Sequence, residues 1–517
     1  MATAYRVIRN VYRDSVSMML LSATLRDRPG VEQASATMAT PANLDMLREA
    51  GMLAADPDAG TSDLLVVIKG ATNGALEAAL EAAEAEIRKP PQAATGGGLR
   101  AMAPASLQMA LESVPGANLA LISTPGEYAA AEARKALQLG LNVMLFSDNV
   151  PVGEEVALKT YAREHGRLVM GPDCGTAIVD GIPLGFANVV RRGAIGVVGA
   201  SGTGTQQVTC LVHRYGEGIS QALGTGGRDL RTEVGGITML QGLEALARDA
   251  ATRVIVLVSK PPAPDVAARV LAAARKVRKP VVVNFVGAAA TSQGANLHFA
   301  RTLDDASRAA VALAKGRAPA RKTAARVSPR MLAGVPRLSR QQRFLRGLYS
   351  GGTFCYEACA LLGELLGRVR SNAPVDHDLH LADVWQSVEH TVVDLGDDEF
   401  TRGRPHPMID QTLRSDRLVE EADDPSVAVI LLDVVLGYGA HPDPANSIAA
   451  AIDTARTRAA RKRRRIAFVG FICGTDGDPQ DYARQEATLR SAGMILADSN
   501  AQAVRLAAAI ARKQVSL

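Results

Sequence analysis

Aromatic side chains are scarce: Phe, Tyr and Trp together make up 4% of the 517 residues, and Trp385 is the single tryptophan. Readers of single-stranded nucleic acid stack bases on aromatic platforms, so the composition argues against that role. Cysteine is rare as well. Cys174, Cys210, Cys355, Cys359 and Cys473 form an odd set with no C-x-x-C pair and no histidines at metal-type spacing. A disulfide framework and a structural zinc centre are both disfavoured, and no metal is expected. No apolar run of about 18 residues is free of charge, and the opening MATAYRVIRNVYRD lacks the apolar core of a signal peptide, so no membrane partner and a cytoplasmic location are expected.

Excess charge of one sign is missing too, once it is located. The net charge is +5, but residues 316–343 alone carry eight Lys or Arg and no acid, so the rest of the chain is mildly acidic. A second basic run, 456–465, sits at the predicted end of a helix, where cations offset the helix dipole. Both read as solvated surface, and no nucleic-acid partner is expected.

What the chain has in quantity is small and aliphatic residues, including 47 glycines, many of them in clusters after apolar runs. Its length suggests about three or four domains. Apolar patterning predicts strands at 5–12, 31–37 and 64–69 and helices at 15–25, 42–49 and 75–88, a small α+β domain over 1–88 with helices on one face of its sheet. The Pro- and Gly-rich stretch 89–105 reads as a linker. Strands at 119–123, 143–146, 168–171, 195–198, 254–258 and 281–285 alternate with helical stretches, the pattern of parallel, doubly wound sheets. A boundary near Arg191 divides this region into 117–190 and 191–315. After the basic linker 316–343, the alternation resumes over 344–517. The fold class is therefore α/β, multidomain, with doubly wound parallel sheets of Rossmann-like and flavodoxin-like type and a small amino-terminal α+β domain.

Three glycine-rich turns follow predicted strands and open predicted helices: Ser201, Gly202, Thr203, Gly204 and Thr205; Ser350, Gly351, Gly352 and Thr353; and Gly474, Thr475, Asp476, Gly477, Asp478 and Gln480. Each would aim backbone N–H groups and a hydroxyl at an anion on a helix amino terminus, which suits phosphate or an acyl phosphate. None has the G-K-S/T of a P-loop or the G-x-G-x-x-G of a dinucleotide fold. A polar stretch with Asp397, Asp398, Glu399, Arg402, Arg404, His406 and Asp410, stiffened by Pro405 and Pro407, adds forked guanidiniums suited to carboxylate or phosphoryl oxygens. His441 follows an apolar strand, where it could serve as an acid or base or cap the helix after Pro444. Cys174 lies in a turn and either packs or touches a ligand.

GPDCGTAI (171–178) and the stretch from GAIGVVGASGTGTQQ to GTGGRDL resemble the α subunit of succinyl-CoA synthetase over 118–305. SGGTFCYEA, DDEFTRGRPHPMIDQTLR, DVVLGYGAHPDPA and CGTDGDPQ are similar to the FdrA family, described as acyl-CoA-synthetase-like, over nearly the whole chain. That resemblance implies an α-subunit equivalent fused to a domain like the carboxy-terminal part of the β subunit. It implies a CoA-binding-like Rossmann domain at 117–190, with Cys174 near a CoA-like pocket. It implies a subunit of an oxamate carbamoyltransferase in ureide catabolism, exchanging a carbamoyl group between oxamate and phosphate to give carbamoyl phosphate, with Arg402, Arg404, His406 and His441 as catalytic candidates. The alternatives are an acid–thiol ligase using CoA and a noncatalytic scaffold. Subunits encoded nearby, a small carboxylate or amide substrate and a homo-oligomer are the expected partners. The synthetase pattern has a phosphorylated histidine in G-H-A-G-A and a glutamate in G-E-I-G-G. Here His298 stands in LHFAR and is expected to cap or pack, and Ser259-Lys260-Pro261-Pro262 carries no glutamate.

Overall fold

A computed structural model describes residues 2–13, 15–55, 57–89, 104, 106–287, 296–320, 334–402 and 404–513. Most of the expected linker 89–105 and the middle of the basic segment 316–343 lie outside them.

The amino-terminal unit is an antiparallel sheet of Ala2–Ile8, Leu64–Gly70 and Val31–Met38, with the third strand in the middle. Asn10 takes a left-handed φ of 52°, which ends the first strand earlier than the pattern predicts. Helices Ser15–Arg26, Pro41–Glu49 and Asn73–Arg88 cover both faces of the sheet rather than one. The reason lies in the run LLVVI: Leu64, Val66 and Ile68 pack on Met18, Leu25 and Leu80, while Leu65 and Val67 pack on Leu47, Met52 and Leu53. Five successive apolar residues leave neither face of the strand suited to water.

A parallel three-stranded sheet follows (Leu119–Ile122, Asn142–Leu145, Val169–Met170), carrying helices Gly126–Gln138 and Val152–Glu164. The next sheet has seven strands. Its five parallel members run in the spatial order Ile219–Gly224, Arg192–Ala200, Val254–Ser259, Val281–Phe285, Leu297–Phe299. The antiparallel hairpin Thr176–Val179 and Ile182–Gly185 extends it beside Ile219–Gly224. The expected boundary at Arg191 is therefore corrected: the hairpin belongs to the following sheet, fastened by Gln221, whose side-chain amide bonds both the N–H and the carboxylate of Asp180 at 2.8 Å.

The last unit is an all-parallel sheet, Thr391–Asp394, Phe344–Tyr349, Val427–Val435, Ala467–Cys473 and Met494–Ala497. In chain order this is 2-1-3-4-5, the flavodoxin-like order, and the five parallel strands of the preceding sheet follow it too. One apolar core runs through both units, bringing Val208 and Cys210 of helix Gly202–Arg214 together with Phe354 and Ala358 of helix Gly352–Leu366. The basic run 456–465 is not merely solvated: Arg458 and Lys462 both reach Asp423 at 3.1 Å, and Arg464 donates to the carbonyls of Ala422 and Asp424.

The three-stranded unit is pinned to its neighbour by a charge. Lys159, wholly buried in helix Val152–Glu164, donates to Glu155 at 2.8 Å, Asp229 at 2.7 Å and the Thr225 carbonyl at 3.0 Å. Lys159→Ala removes the buried cation shared by two carboxylates, leaving Glu155 to Arg228 and Asp229 to the N–H groups of Thr238 and Met239, and is expected to cost about 3 kcal/mol in urea denaturation. A loss below about 1 kcal/mol would place this network outside the stabilising core.

Candidate active site

Both flavodoxin-like units put a strand-to-helix turn at the carboxyl end of their first strand, next to the point where strand order reverses, which is where such sheets place ligands. In the first, Arg192–Ala200 runs into Ser201, the N-cap of helix Gly202–Arg214. Its Oγ accepts from Gly204 N–H at 2.9 Å, and Thr205 Oγ1 donates to the Ser201 carbonyl at 2.7 Å. In the second, Phe344–Tyr349 runs into Ser350, and helix Gly352–Leu366 starts from Gly351 with no side-chain cap. The wholly buried Asp433 organises this turn, accepting from Ser350 N–H at 2.9 Å, Ser350 Oγ at 2.8 Å and Gly351 N–H at 3.0 Å. Arg414 balances that carboxylate at 2.6 Å.

The two turns face each other. Ser201 Oγ and Thr353 Oγ1 lie 2.6 Å apart, and a side chain at Gly351 would come within 2.9 Å of Thr203 Cγ2. A side chain at Gly352 would run into the Asp394 carboxylate and, at 3.4 Å, the ammonium of Lys260. The opposed helix amino ends, two hydroxyls and the Lys260 cation thus share one small volume.

Carboxylates surround its mouth. Burial among protein atoms, then the neighbouring Asp148 carboxylate, push the Asp173 carboxyl up to about 7, with Arg228 and Lys260 pulling the other way and Asp398 adding to the rise. Asp394 is pushed up to about 6 by burial, against the pull of Lys260. Asp148 is raised by burial and by Asp398. Asp148, Asp173, Lys260 and Asp398 are all exposed and act on one another electrostatically, so they form a charged cluster at the surface where three units meet.

The other sequence candidates fall elsewhere. The turn of Gly474, Thr475, Asp476, Gly477, Asp478 and Gln480 is filled from within. The Asp478 carboxylate accepts from the N–H groups of Thr475 and Val189 and from Asn188 Nδ2, each at 2.8 Å, taking the place an anion would have. Gln480 bonds both backbone groups of Gly437, and Asp476 meets His213 at 2.7 Å, so this turn is a joint between units and does not join the other two. Arg402 and Arg404 are also displaced from the expected site. They line a separate cleft against the amino-terminal unit, Arg402 3.8 Å from Glu49 and Arg404 over the Trp385 ring.

His406 lies between the two clefts. It packs against Gly396, which abuts the Ser350 carbonyl, and its Nδ1 accepts from Met408 N–H at 3.1 Å. Burial pulls its pKa down to about 4, so the ring is neutral near pH 7. His441 Nδ1 accepts from Asp443 N–H at 3.0 Å, a hydrogen bond that fixes the loop just before helix Pro444–Arg461. Cys174 is buried, its thiol pushed up to about 12 by burial, and it packs rather than reacts. His298 is a half-buried residue of the edge strand Leu297–Phe299, not a helix cap.

Sequence reasoning missed Lys260, Asp173, Asp394, Asp433 and Arg414. Three had a signal: Lys260 directly follows VIVLVS, Asp394 closes TVVD, and Asp433 interrupts VAVILLDVV, each a charge at the carboxyl end of a buried strand.

Family comparisons place this geometry. The model described as CoA-ligase matches residues 348–510, that of the CoA binding domain 190–304, and that described as AllF, heavy metal-associated domain, 1–103. The two facing units are therefore those of CoA-ligase-like proteins. The chain is 45% identical over 496 residues, 95% of each chain, to the Escherichia coli K12 protein described as uncharacterized protein YahF, and it belongs to the YahF family. The α subunit of ADP-forming succinate–CoA ligase from Aquifex aeolicus is 30% identical over 151 residues, 28% of this chain and 48% of the subunit, so that match spans about half of the relative. A solved dinucleotide-forming acetyl-coenzyme A synthetase 1 of Ca. Korarchaeum cryptofilum is similar over 77% of this chain and 83% of its own, at 13% identity and a TM-score of 0.31. Among the described residues no helix is long and apolar enough to cross a membrane.

The raised carboxyls have a pH signature. Asp173 and Asp394 hold protons in the fold that the unfolded chain, with its ordinary carboxylate value of 3.8, releases. Stability contributed by these groups is present below about pH 4 and is lost as pH rises through about 6 to 7. Asp173→Asn and Asp394→Asn should flatten the fall in urea midpoint between about pH 5 and about pH 8; an unchanged slope in both variants would contradict the assignment.

Proposed function

We propose that the chain is a subunit of an acyl-phosphate transferase, most specifically one that moves a carbamoyl group from the nitrogen of oxamate to phosphate in ureide nitrogen catabolism. The observation that carries this reading is the Ser201–Thr353 contact, which brings two helix amino termini together beside the Lys260 ammonium. In the reaction a phosphate oxygen attacks the carbamoyl carbon of N-carbamoyl-oxamate. The carbonyl electron pair moves onto oxygen, and its return expels the oxamate nitrogen, which takes up a proton, leaving carbamoyl phosphate and oxamate. Backbone N–H groups at Gly202, Thr203, Gly352 and Thr353 and the Lys260 charge would stabilise the phosphate and the developing oxyanion without reorganising. Asp173, whose carboxyl is raised above the usual carboxylate range by its enclosure and by Asp148, is the group suited to exchange that proton.

The charge at Lys260 supports a free anion over a phosphorylated histidine. The resembling synthetase pattern has an acid after this strand to meet a histidine, whereas an ammonium favours a ligand bearing its own negative charge. The amino-terminal match to an AllF-type domain agrees with a role in allantoin-related metabolism. The competing acid–thiol ligase is favoured by the CoA-binding match at 190–304. Subunits encoded nearby would supply the remaining groups, and a homo-oligomer is the assembly we favour.

The test is phosphate release from carbamoyl phosphate and oxamate by the protein together with its genomic neighbours. Lys260→Glu should lower turnover by roughly 10² to 10³, the range for losing one oxyanion contact, with an unchanged circular dichroism spectrum. Full activity in that variant would remove Lys260 from the mechanism. For the ligase, γ-labelled ATP with succinate and CoA should leave no acid-labile label on the chain; a label lost in His298→Ala would establish the ligase instead.

A further inference from the structure

The amino-terminal unit matches a domain described as heavy metal-associated, yet its residues do not suit such an ion. Residues 1–103 contain no cysteine and no histidine, the donors that soft and borderline metals select. Its buried thioethers do not converge: Met18 and Met38 belong to the core on one face of the sheet, Met52 to the core on the other. Among the described residues, no group of three or more His, Cys, Asp and Glu is placed to hold a metal ion.

What this unit presents instead is a contact face. Arg26, the last residue of helix Ser15–Arg26, is largely buried and ion-paired with Asp410 of the carboxy-terminal unit, itself 6% exposed. Arg402 faces Glu49, Asp27 lies within electrostatic reach of His441, and Tyr12 OH donates to the Ser123 carbonyl at 3.1 Å. A cavity of about 480 Å³ remains between the units, with Arg26 and Gln33 on one wall and Trp385, Arg404 and Asp416 on the other. Asp410 is tied into the turn that carries His406: its N–H donates to the His406 carbonyl at 3.0 Å and its Oδ1 accepts from Thr412 N–H at 2.9 Å. The His406 ring, in turn, packs on Gly396 beside the Ser350 carbonyl. A chain of contacts therefore runs from Arg26 to the turn that starts helix Gly352–Leu366.

We propose that the amino-terminal unit is a docking brace and not a metal carrier, with Arg26 as a positioning residue that holds the 406–411 turn through Asp410. This holds whichever anion the Ser201–Thr353 site takes, so it does not rest on the transferase reading. A charge buried against its partner is costly to strand, and reversing either member places like charges together.

The experiment is a charge-swap cycle in the full chain, with Arg26→Asp, Asp410→Arg and the double variant, read by the emission of Trp385, the single tryptophan, and by melting temperature. Each single reversal is expected to shift the emission and lower the melting temperature by about 5 °C or more. The double variant should recover at least half of both changes, a rescue that two independent structural lesions would not give. Arg26→Gln, which stays polar and loses the charge, covers the case in which a reversal fails to fold, and it should shift the emission in the same direction. In parallel, the wild-type chain equilibrated with Zn(II) or Cu(I) and then desalted should retain far less than one ion per chain. A double variant no better than the worse single, an unmoved emission in Arg26→Gln, or one retained metal per chain would each overturn the proposal.

Discussion

Helices Gly202–Arg214 and Gly352–Leu366 point their amino ends at one another, joined by the Ser201–Thr353 hydroxyl contact and the close approach of Gly351 to Thr203. Like ends of two helix dipoles repel, and the carboxylates nearest the second helix, Asp394 and Asp433, are respectively raised toward neutrality by burial and paired with Arg414. The arrangement persists because the same helices share one apolar core along their lengths, through Val208, Cys210, Phe354 and Ala358. Apolar burial thus holds in place an electrostatic conflict, and the conflict is what an entering anion would relieve.

The surrounding charges are graded to keep that conflict in place. Asp433 satisfies the Ser350 turn, but Arg414 spends its charge, so the turn gains hydrogen bonds without a net negative centre. Asp394 stands beside Lys260 and is pushed toward its neutral form. The remaining acids, Asp148, Asp173 and Asp398, lie toward the opening, where they face solvent. A molecule with a negative end and an N–H-rich end would meet matching surfaces at both.

The two turns that meet were legible because their signal is local: an apolar strand, a hydroxyl, then glycines. The third turn carried the same signal but also its own acid. Asp478 sits where it can cap the turn's N–H groups, and an acid within such a turn is a reason to expect it closed. Arg402 and Arg404 were misplaced for a different reason. Their neighbours, Glu49 and the wall around Gln33, lie more than three hundred residues earlier, and no spacing rule reports that contact. Lys260 was noticed only as a missing glutamate, although a charge after VIVLVS was itself informative. In the amino-terminal unit, the uninterrupted LLVVI already implied two covered faces, and counting one was an error of interpretation rather than of information.

The hairpin Thr176–Gly185 constrains how the cleft can open. It continues directly from the three-stranded unit, yet its hydrogen bonds belong to the seven-stranded sheet. With Lys159 buried between the same two units, they cannot swing apart about a hinge without tearing a β-ladder and exposing an ion pair. The carboxy-terminal unit is held to the same jaw by the apolar core it shares with helix Gly202–Arg214, so the freedom left at the cleft lies in its solvent-facing rim around Asp397 and Asp398, and the two units carrying Asp173 and Ser201 would travel as a single rigid jaw.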